Sequence, residues 1–355
     1  MLPFWITLAG AGLASAATKF AGVNIAGFDF GADTTGTANL ASALPPLTAL
    51  NGPDGGGQMA HFATNDGLNM FRLPVTWQYL INNNSTVTDT STLDATNFGK
   101  YDMLMQSCLS TGANCILNVH NYARFNNKVI GQGGPTDAAF ANLWSQLATK
   151  YANNTKVIFG VMNEPHDLPN LSTWTKTVQA AVTAIRKTGA TNHMILLPGT
   201  DFSGAQTFIS NGSAGNLSTV VNLDNSTTNL VFDVHKYLDS DGSGTHTDCV
   251  SDHVTDTFTP LAAFLKTAQR TAMLSETGGG NTTSCLTDLC QTLSFINTNS
   301  DVFMGYAGWA AGGFDQTYAL AETPIKAANG NYTDVPIVTQ CIVGTRKNST
   351  STASR

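Results

Sequence analysis

The chain has 355 residues, of which only 12% are charged, and a formal net charge of −7 at pH 7. With that acidic balance and no basic cluster, nucleic acid and anionic membrane surfaces are excluded as expected partners. The length suits a single barrel domain of about 250 residues or more as well as it suits two domains.

The first 16 residues have the pattern of a secretory signal peptide. An apolar run over residues 2–16 ends in the small residues Ala14-Ser15-Ala16 and is too short to span a membrane, although no Lys or Arg precedes it. We expect cleavage near Ala16 or Ala17 and a soluble, extracellular protein. Ten Asn-X-Ser/Thr sequons fit that route. Residues 17–343 are predicted to form one domain, and residues 344–355 a polar C-terminal tail.

Eight short apolar runs follow, separated by longer amphipathic or polar stretches. Several runs are almost continuously apolar, which is typical of parallel strands covered on both faces. Residues 140–147 and 174–185 between them have helical spacing. The alternation predicts an α/β fold, a single-domain (β/α)₈ TIM barrel; the alternative is a doubly wound open sheet, whose phosphate loop is absent. The runs are 20–30, 68–75, 115–120, 157–162, 194–198, 230–234, 272–274 and 303–308.

Polar and aromatic side chains follow six of these runs at their carboxyl ends. In a (β/α)₈ barrel those ends meet on the face that carries the active site. A single histidine or tryptophan there is more often structural, but the group as a whole predicts a site on this rim. Its members are Arg72, His120, Asn121, Asn163, Glu164, His235, Lys236, Tyr237, Glu276 and Trp309.

Two glutamates stand out in this group. Glu164 and Glu276 each follow an apolar run that is predicted to be a buried strand, where glutamate is rare unless it is paired. Two such carboxyls suit glycoside hydrolysis, in which one protonates the leaving oxygen and the other attacks or directs water. On spacing alone, two unrelated salt bridges are an equal alternative.

Other catalytic chemistries lack their sequence patterns. There is no His-Glu-X-X-His, no pair of histidines at helical spacing and no Asp-rich calcium loop, so we expect neither a catalytic metal nor a cofactor. A Ser-His-Asp hydrolase is not expected either, because no Gly-X-Ser-X-Gly elbow is present.

Six short motifs occur in order at the predicted strand ends. They are Arg72-Leu-Pro, Asn118-Val-His-Asn121, Asn163-Glu164-Pro165, His235-Lys-Tyr237, Ser275-Glu276-Thr277-Gly278 and Gly308-Trp309. Together they resemble glycoside hydrolase family 5, and residues 72–79 and 235–246 look like its secreted fungal endo-β-1,4-glucanases. The resemblance covers about residues 20–343.

The resemblance implies retaining hydrolysis of internal β-1,4-glucosidic bonds in cellulose and related soluble β-glucans, without a cofactor. We expect a monomer whose partner is the polysaccharide substrate. The alternatives are an endo-β-mannanase or mixed-linkage glucanase of the same family and, more remotely, a non-catalytic sugar-binding barrel. Relatives frequently add a cellulose-binding module, for which this sequence has no counterpart.

The resemblance also implies a role for each motif. Glu164 would be the general acid/base and Glu276 the nucleophile, whose ionised carboxylate would raise the pKa of Glu164. Arg72 and Tyr237 would keep Glu276 ionised, and Asn163 would bind the 2-hydroxyl of the sugar being cleaved. Further substrate contacts would come from His120, His235 and Trp309, and Trp77, Tyr122 and Trp174 would either form additional subsites or pack in loops.

Six cysteines remain after the signal peptide. An even number in a secreted chain favours three disulfides, although six cysteines allow 15 connectivities. We expect Cys108–Cys115 to close a helix-to-strand loop, and Cys249–Cys285 to tie the loops after strands six and seven. Cys290–Cys341 would fasten the C-terminal segment to the barrel.

Overall fold

The computed structural model describes residues 17–83 and 85–347. The predicted signal peptide and residues 348–355 of the predicted tail lie outside these ranges. Eight parallel strands close into a barrel in the order β1-β8-β7-β6-β5-β4-β3-β2. The (β/α)₈ prediction is therefore confirmed, and the doubly wound open sheet is wrong. The strands are β1 (Phe20–Ala26), β2 (Met70–Val75), β3 (Asn114–Val119), β4 (Val157–Gly160), β5 (Ile195–Pro198), β6 (Leu230–His235), β7 (Ala272–Thr277) and β8 (Phe303–Gly312).

Helices lie between the strands and cover the outside of the barrel. Side-chain caps fix where several begin: the Thr136 hydroxyl accepts a hydrogen bond from the backbone of Ala139, and the Asn170 side chain accepts one from Thr173. The helices are α1 (Gly55–Asn65), α2 (Trp77–Ile81), α3 (Ala95–Ser110), α4 (Asp137–Tyr151), α5 (Leu171–Lys187), α6 (Ser213–Leu217), α7 (Thr259–Ala268) and α8 (Thr283–Thr298).

Short irregular elements complete the described chain. Two 3₁₀ turns, Leu40–Ser42 and Thr48–Leu50, follow β1, and π-helical turns occupy Val254–Phe258 and Val338–Val343. The small hairpins pair Arg124–Phe125 with Lys128–Val129 and Ile325–Lys326 with Tyr332–Thr333. No helix in the described ranges is long and apolar enough to cross a membrane.

Alternation along each strand separates two cores. Outward side chains pack against the helices in one large cluster, whereas inward side chains from all eight strands fill the floor of the barrel. Above that floor the barrel interior turns polar, with Asn24, Arg72, Asn118, Asp233 and Ser275 buried in it. The floor residues are Phe20, Met70, Ile116, Ile158, Met194, Leu196, Val231, Met273 and Ala307. A buried polar layer thus supports the carboxyl-end rim.

Three disulfides join all six cysteines in the pairing that the sequence analysis expects. Cys108–Cys115 links α3 to β3, and Cys249–Cys285 links the loop after β6 to the start of α8. Cys290–Cys341 holds the C-terminal helical segment against α8.

The packed domain extends past the predicted boundary at residue 343. Helical backbone continues through residue 347, and Thr345 is buried with its hydroxyl bonded to the carbonyl of Cys341. The Tyr306 hydroxyl on β8 donates to the carbonyl of Ile342 at 2.9 Å. Residues 344–347 therefore belong to the folded domain rather than to a polar tail.

Candidate active site

Glu276 lies at the end of β7 with a donor on each carboxylate oxygen. Its Oε1 accepts a hydrogen bond from Arg72, and its Oε2 accepts one from the Tyr237 hydroxyl at 2.9 Å. Arg72 is fully buried, and its guanidinium also donates to Asn24 at 2.8 Å and Asn163 at 2.6 Å. The orientation of Glu276 is thus fixed by Arg72 from β2 and by Tyr237, which follows β6.

Glu164 follows β4, and its backbone has a φ of 42°, in the left-handed region that non-glycine residues rarely adopt. This conformation directs its side chain toward β6, where Oε1 lies 2.7 Å from Nδ1 of His235. Burial raises the pKa of Glu164 to about 7. Desolvation is the largest cause of this shift, so the expectation that the charge of Glu276 causes it needs correction.

The two glutamates meet across the mouth of the barrel. A carboxylate oxygen of Glu164, a ring nitrogen of His235 and a carboxylate oxygen of Glu276 all lie within 4.8 Å of one another. Retaining glycosidases hold their two carboxyls about 5–5.5 Å apart, whereas inverting enzymes leave room for a water between them. The distance between the two carboxyls in this site is that of a retaining glycosidase, in which one carboxylate attacks the sugar directly.

His120 orders the hydrogen bonds around Asn163. Burial lowers the pKa of His120 well below its usual value, so the ring is neutral. Its Nε2 lies 3.2 Å from the Asn163 amide nitrogen and its Nδ1 lies 3.2 Å from the Asn118 oxygen. Nε2 therefore accepts from Asn163, and Nδ1–H donates to Asn118. Together with Arg72, this bond fixes which end of the Asn163 amide faces each neighbour.

Two cavities flank the glutamate pair, and half-buried Tyr122 lines both. The first, of about 460 Å³, includes Asp29, His120 and Trp309 in its wall. The Trp309 ring stacks on His120 with 5.6 Å between centroids, and its indole N–H donates to the Tyr318 hydroxyl. One face of this cavity is therefore an oriented aromatic surface.

The second cavity, of about 580 Å³, lies on the Glu164 side and is lined by His235, Lys236 and Tyr237. Phe202 stands in its wall with 40% of its surface exposed and stacks on His166 at 4.3 Å between ring centroids. The sequence analysis missed Phe202 and His166. Of the eight predicted strands, the first and the fifth have no residue in the strand-end group, and the gap after the fifth could have directed attention to residues 199–204.

Trp77 and Trp174 are not part of either cavity. Trp77 is 1% exposed and packs against Phe125 and Phe140, while Trp174 is fully buried in α5 and donates to the carbonyl of Pro198. Both belong to helices whose apolar side faces the barrel, so the hydrophobic core takes up their rings. Their assignment as candidate subsites is therefore corrected to core packing.

Within the described ranges, three groups of His, Asp and Glu could hold a metal ion. Besides the Glu164–His235–Glu276 group, they are His61–Asp66–Asp334 and Asp239–Asp241–His246. In the first group, Glu276 is already bonded to Arg72 and Tyr237. In the last, Asp239 accepts backbone N–H groups of its own loop.

Comparisons with known proteins agree with this geometry. The family described as Cellulase (glycosyl hydrolase family 5) matches residues 30–312. Endoglucanase EG-II of Hypocrea jecorina is 55% identical over 332 residues, 92% of this chain and 78% of that protein. Manganese dependent endoglucanase Eg5A of Phanerodontia chrysosporium is 44% identical over 328 residues, 91% of this chain and 79% of that protein. The crystal structure of Cel5A (EG2) from Hypocrea jecorina superposes with a TM-score of 0.89 at 55% identity, covering 92% and 99% of the two chains. The chain therefore belongs to glycosyl hydrolase family 5, the cellulase family.

Proposed function

We propose that this chain is a secreted, monomeric endo-β-1,4-glucanase that acts on cellulose and soluble β-glucans with retention of configuration. The observation that carries the proposal is the close approach of Glu164 and Glu276, whose carboxylate oxygens lie within 4.8 Å of each other. Residues 17–347 form the catalytic domain, preceded by a signal peptide over residues 1–16. Endoglucanase relatives and the three disulfides support both the activity and an extracellular location.

In the first step Glu276 attacks the anomeric carbon and forms a glycosyl ester, while the bond to the leaving oxygen breaks. Glu164 supplies the proton that this oxygen needs, and its raised pKa keeps the proton available near neutral pH. In the second step the ionised Glu164 takes a proton from water, which attacks the ester and frees Glu276. Arg72 and Tyr237 hold the two oxygens of Glu276 in place through both steps.

The two cavities supply binding sites on both sides of the cleaved bond. The cavity with Trp309 binds the glycone, because sugar rings place their apolar faces on aromatic rings. Asn163, held by Arg72 and His120, is positioned for the 2-hydroxyl. The cavity beside Glu164 binds the leaving part of the chain on Phe202, because the acid must face the leaving oxygen. Occupation on both sides is what cleavage inside a polymer requires.

Substrate class is tested by following viscosity and reducing ends on carboxymethyl cellulose, barley β-glucan, mannan and xylan. We expect an early fall in viscosity on the first two. Activity confined to mannan would replace the proposal with a mannanase, and binding without turnover would indicate a sugar-binding barrel. Since one relative is named manganese dependent, each assay is repeated with EDTA and with Mn²⁺. Light scattering after gel filtration tests for a monomer.

The two glutamate roles are separated by alanine variants and azide. Glu164→Ala should lose most activity on cellulose but much less on aryl cellobiosides, whose phenol leaves without a proton. Azide should then restore turnover and give a β-glycosyl azide, because the ester on Glu276 still forms. Glu276→Ala should be inactive on both substrates, and azide should give the α-anomer. Reversed anomers would exchange the roles, and two active variants would refute the site.

A further inference from the structure

Asp233 is a buried carboxyl beneath the active site that the proposed reaction does not use. It lies in β6 two residues before His235, so both side chains point into the barrel. The residue is fully buried, and its Oδ1 accepts a hydrogen bond from Ser275 at 2.5 Å. Its Oδ2 has no hydrogen-bond partner within the part of the chain that the structure describes. A buried carboxylate with so few partners costs free energy of folding. Its presence in the barrel interior calls for a reason other than stability.

Continuous contacts connect Asp233 to Glu164. Asp233 Oδ1 accepts a hydrogen bond from the Ser275 hydroxyl. That hydroxyl lies 3.0 Å from Nε2 of His235, and Nδ1 of the same ring lies 2.7 Å from Oε1 of Glu164. We call these four residues the relay. Because the serine hydroxyl has one hydrogen and gives it to Asp233, it can only accept from His235. The imidazole hydrogen therefore lies on Nε2, and Nδ1 shares the Glu164 proton.

Of the ionisable groups that face Asp233, His235 is the one whose protonation we expect to depend on the Asp233 charge. Its Nε2 lies 4.0 Å from Oδ1 of Asp233. Burial raises the pKa of Asp233, and His235, Arg72 and the Ser275 hydroxyl oppose that shift. Arg72 and Glu276 also face the carboxyl, but they are bonded to each other. Burial lowers the pKa of His235, and the charges of Glu276 and Asp233 oppose that shift. Asp233 thus favours a proton on the His235–Glu164 pair.

We propose that Asp233 is a positioning residue for Glu164, acting through Ser275 and His235 to fix the imidazole tautomer and to hold the shared proton with a buried negative charge. The inference rests on the proposed acid/base role of Glu164. The protons balance without Asp233: Glu164 gives one proton to the leaving oxygen and regains one from water, and Asp233 exchanges none. Asp233 and Ser275 therefore set the pKa of the His235–Glu164 pair without contacting the substrate.

The test is the pH profile of kcat/KM on cellopentaose for Asp233→Asn. The amide keeps the shape and can still accept from Ser275, but it removes the negative charge. The His235–Glu164 pair should then release its proton more easily, so the alkaline limb should move to lower pH by roughly one unit or more. Activity on the acid side should be largely kept. A purely structural role would instead lower the rate equally at every pH, and that outcome would overturn the proposal.

Ser275→Ala provides a second variant in case Asp233→Asn does not fold. It cuts the relay while leaving the carboxyl in place, and should move the same limb in the same direction. The double variant should move it no further than the larger single shift, because both changes break one chain of contacts. An unshifted limb in Ser275→Ala, or additive shifts, would contradict the relay.

Glu322→Gln is the matched control. Glu322 is also a fully buried carboxyl, and among the described residues neither of its oxygens has a hydrogen-bond partner. Burial raises its pKa well above the usual value, and it packs beside Gly308, which is not part of the relay. Its pH profile should superimpose on that of the wild-type enzyme; an equal shift would show that any buried carboxyl has this effect. If the pH profiles of Asp233→Asn and the wild-type enzyme superimpose while Glu164→Ala is impaired, this inference is refuted and the proposed function stands. An unimpaired Glu164→Ala would refute the proposed function as well.

Discussion

Glu164 combines two costs that ordinary residues avoid, a left-handed backbone and a buried carboxyl. Its φ is 42°, and burial raises its pKa from 4.5 to about 7. Between those two pH values the folded protein keeps a proton that the unfolded chain has lost. The contribution of Glu164 to the free energy of unfolding is therefore fully present below pH 4.5 and is lost as pH rises toward 7. The residue that supplies the proton thus destabilises the fold near neutrality.

Glu164→Gln should make this cost measurable. Glutamine does not titrate, so the free energy of unfolding of the variant relative to wild type should increase as pH rises from 4.5 to 7. The gain should be on the order of 3 kcal/mol, and smaller where water reaches the carboxyl. Urea unfolding at several pH values provides the measurement. A difference that stays constant across this window would mean that Glu164 titrates normally in the folded protein.

Phe202 should matter only when a sugar occupies the leaving side of the site. Its ring is 40% exposed, is stacked on His166 and lines the cavity next to Glu164. Phe202→Ala should lower kcat/KM on cellopentaose by about tenfold, or ~1.4 kcal/mol. On β-cellobiosyl fluoride, whose leaving group has no sugar ring, the rate should stay near that of the wild-type enzyme. Leu223→Ala, which removes an exposed side chain outside both cavities, is the control. Equal losses on the two substrates would place Phe202 outside the leaving-group site.

At the scale of single elements, helix α3 contains a glycine that its packing does not require. A Cβ built on Gly99 meets no atom of residues 17–83 or 85–347 within 4 Å. Gly99→Ala should therefore stabilise the protein by about 0.5–1 kcal/mol, because alanine loses less backbone entropy in a helix. Thermal unfolding should show a higher Tm with unchanged activity.

Gly279→Ala is the opposite case in the loop after β7. There a Cβ would lie 2.5 Å from the sulfur of Cys285 and 2.7 Å from that of Cys249. This substitution should lower the Tm and disturb the loop that follows Glu276. If both alanine variants changed the Tm alike, local space would not be what distinguishes the two glycines.

The elements that could be predicted from the sequence are the strands, whose apolar runs alternate regularly with amphipathic or polar stretches. All eight apolar runs become barrel strands, because strands covered on both faces need continuous apolar residues. Strand ends then place Glu164 and Glu276 on one rim, whereas Arg72, predicted to follow the second strand, lies within β2 in the buried polar layer below that rim. Phe202 escaped prediction because it lies in an irregular turn. For Trp77, just after β2, and Trp174, in the first turn of α5, the sequence left subsite and packing roles open, because residue type alone does not say whether an aromatic side chain faces the cleft or the core.

At the scale of the whole molecule, closing the barrel brings the two ends of the described chain together. Strand β1 pairs with β8, and the backbone and hydroxyl of Thr18 both donate to the side chain of Asn297 in α8. The C-terminal helical segment packs on the same side, where Tyr306 reaches Ile342. Since both chain ends meet here, fraying of the C-terminal segment would expose the seam between β1 and β8.

Cys290–Cys341 is the cross-link that prevents this fraying, and its loss should cost more than the loss of Cys108–Cys115. The two bonds span 51 and 7 residues, respectively. In the chain-entropy account the longer loop contributes about 4 kcal/mol and the shorter about 2.5 kcal/mol. Each pair replaced by alanine should be compared by urea unfolding, with activity on cellopentaose measured below the transition. Both variants should keep wild-type activity there, because neither bond lies in the two cavities that flank the glutamates. A larger loss for the short loop would show that native packing around the sulfurs, rather than chain entropy, sets the contribution of each disulfide.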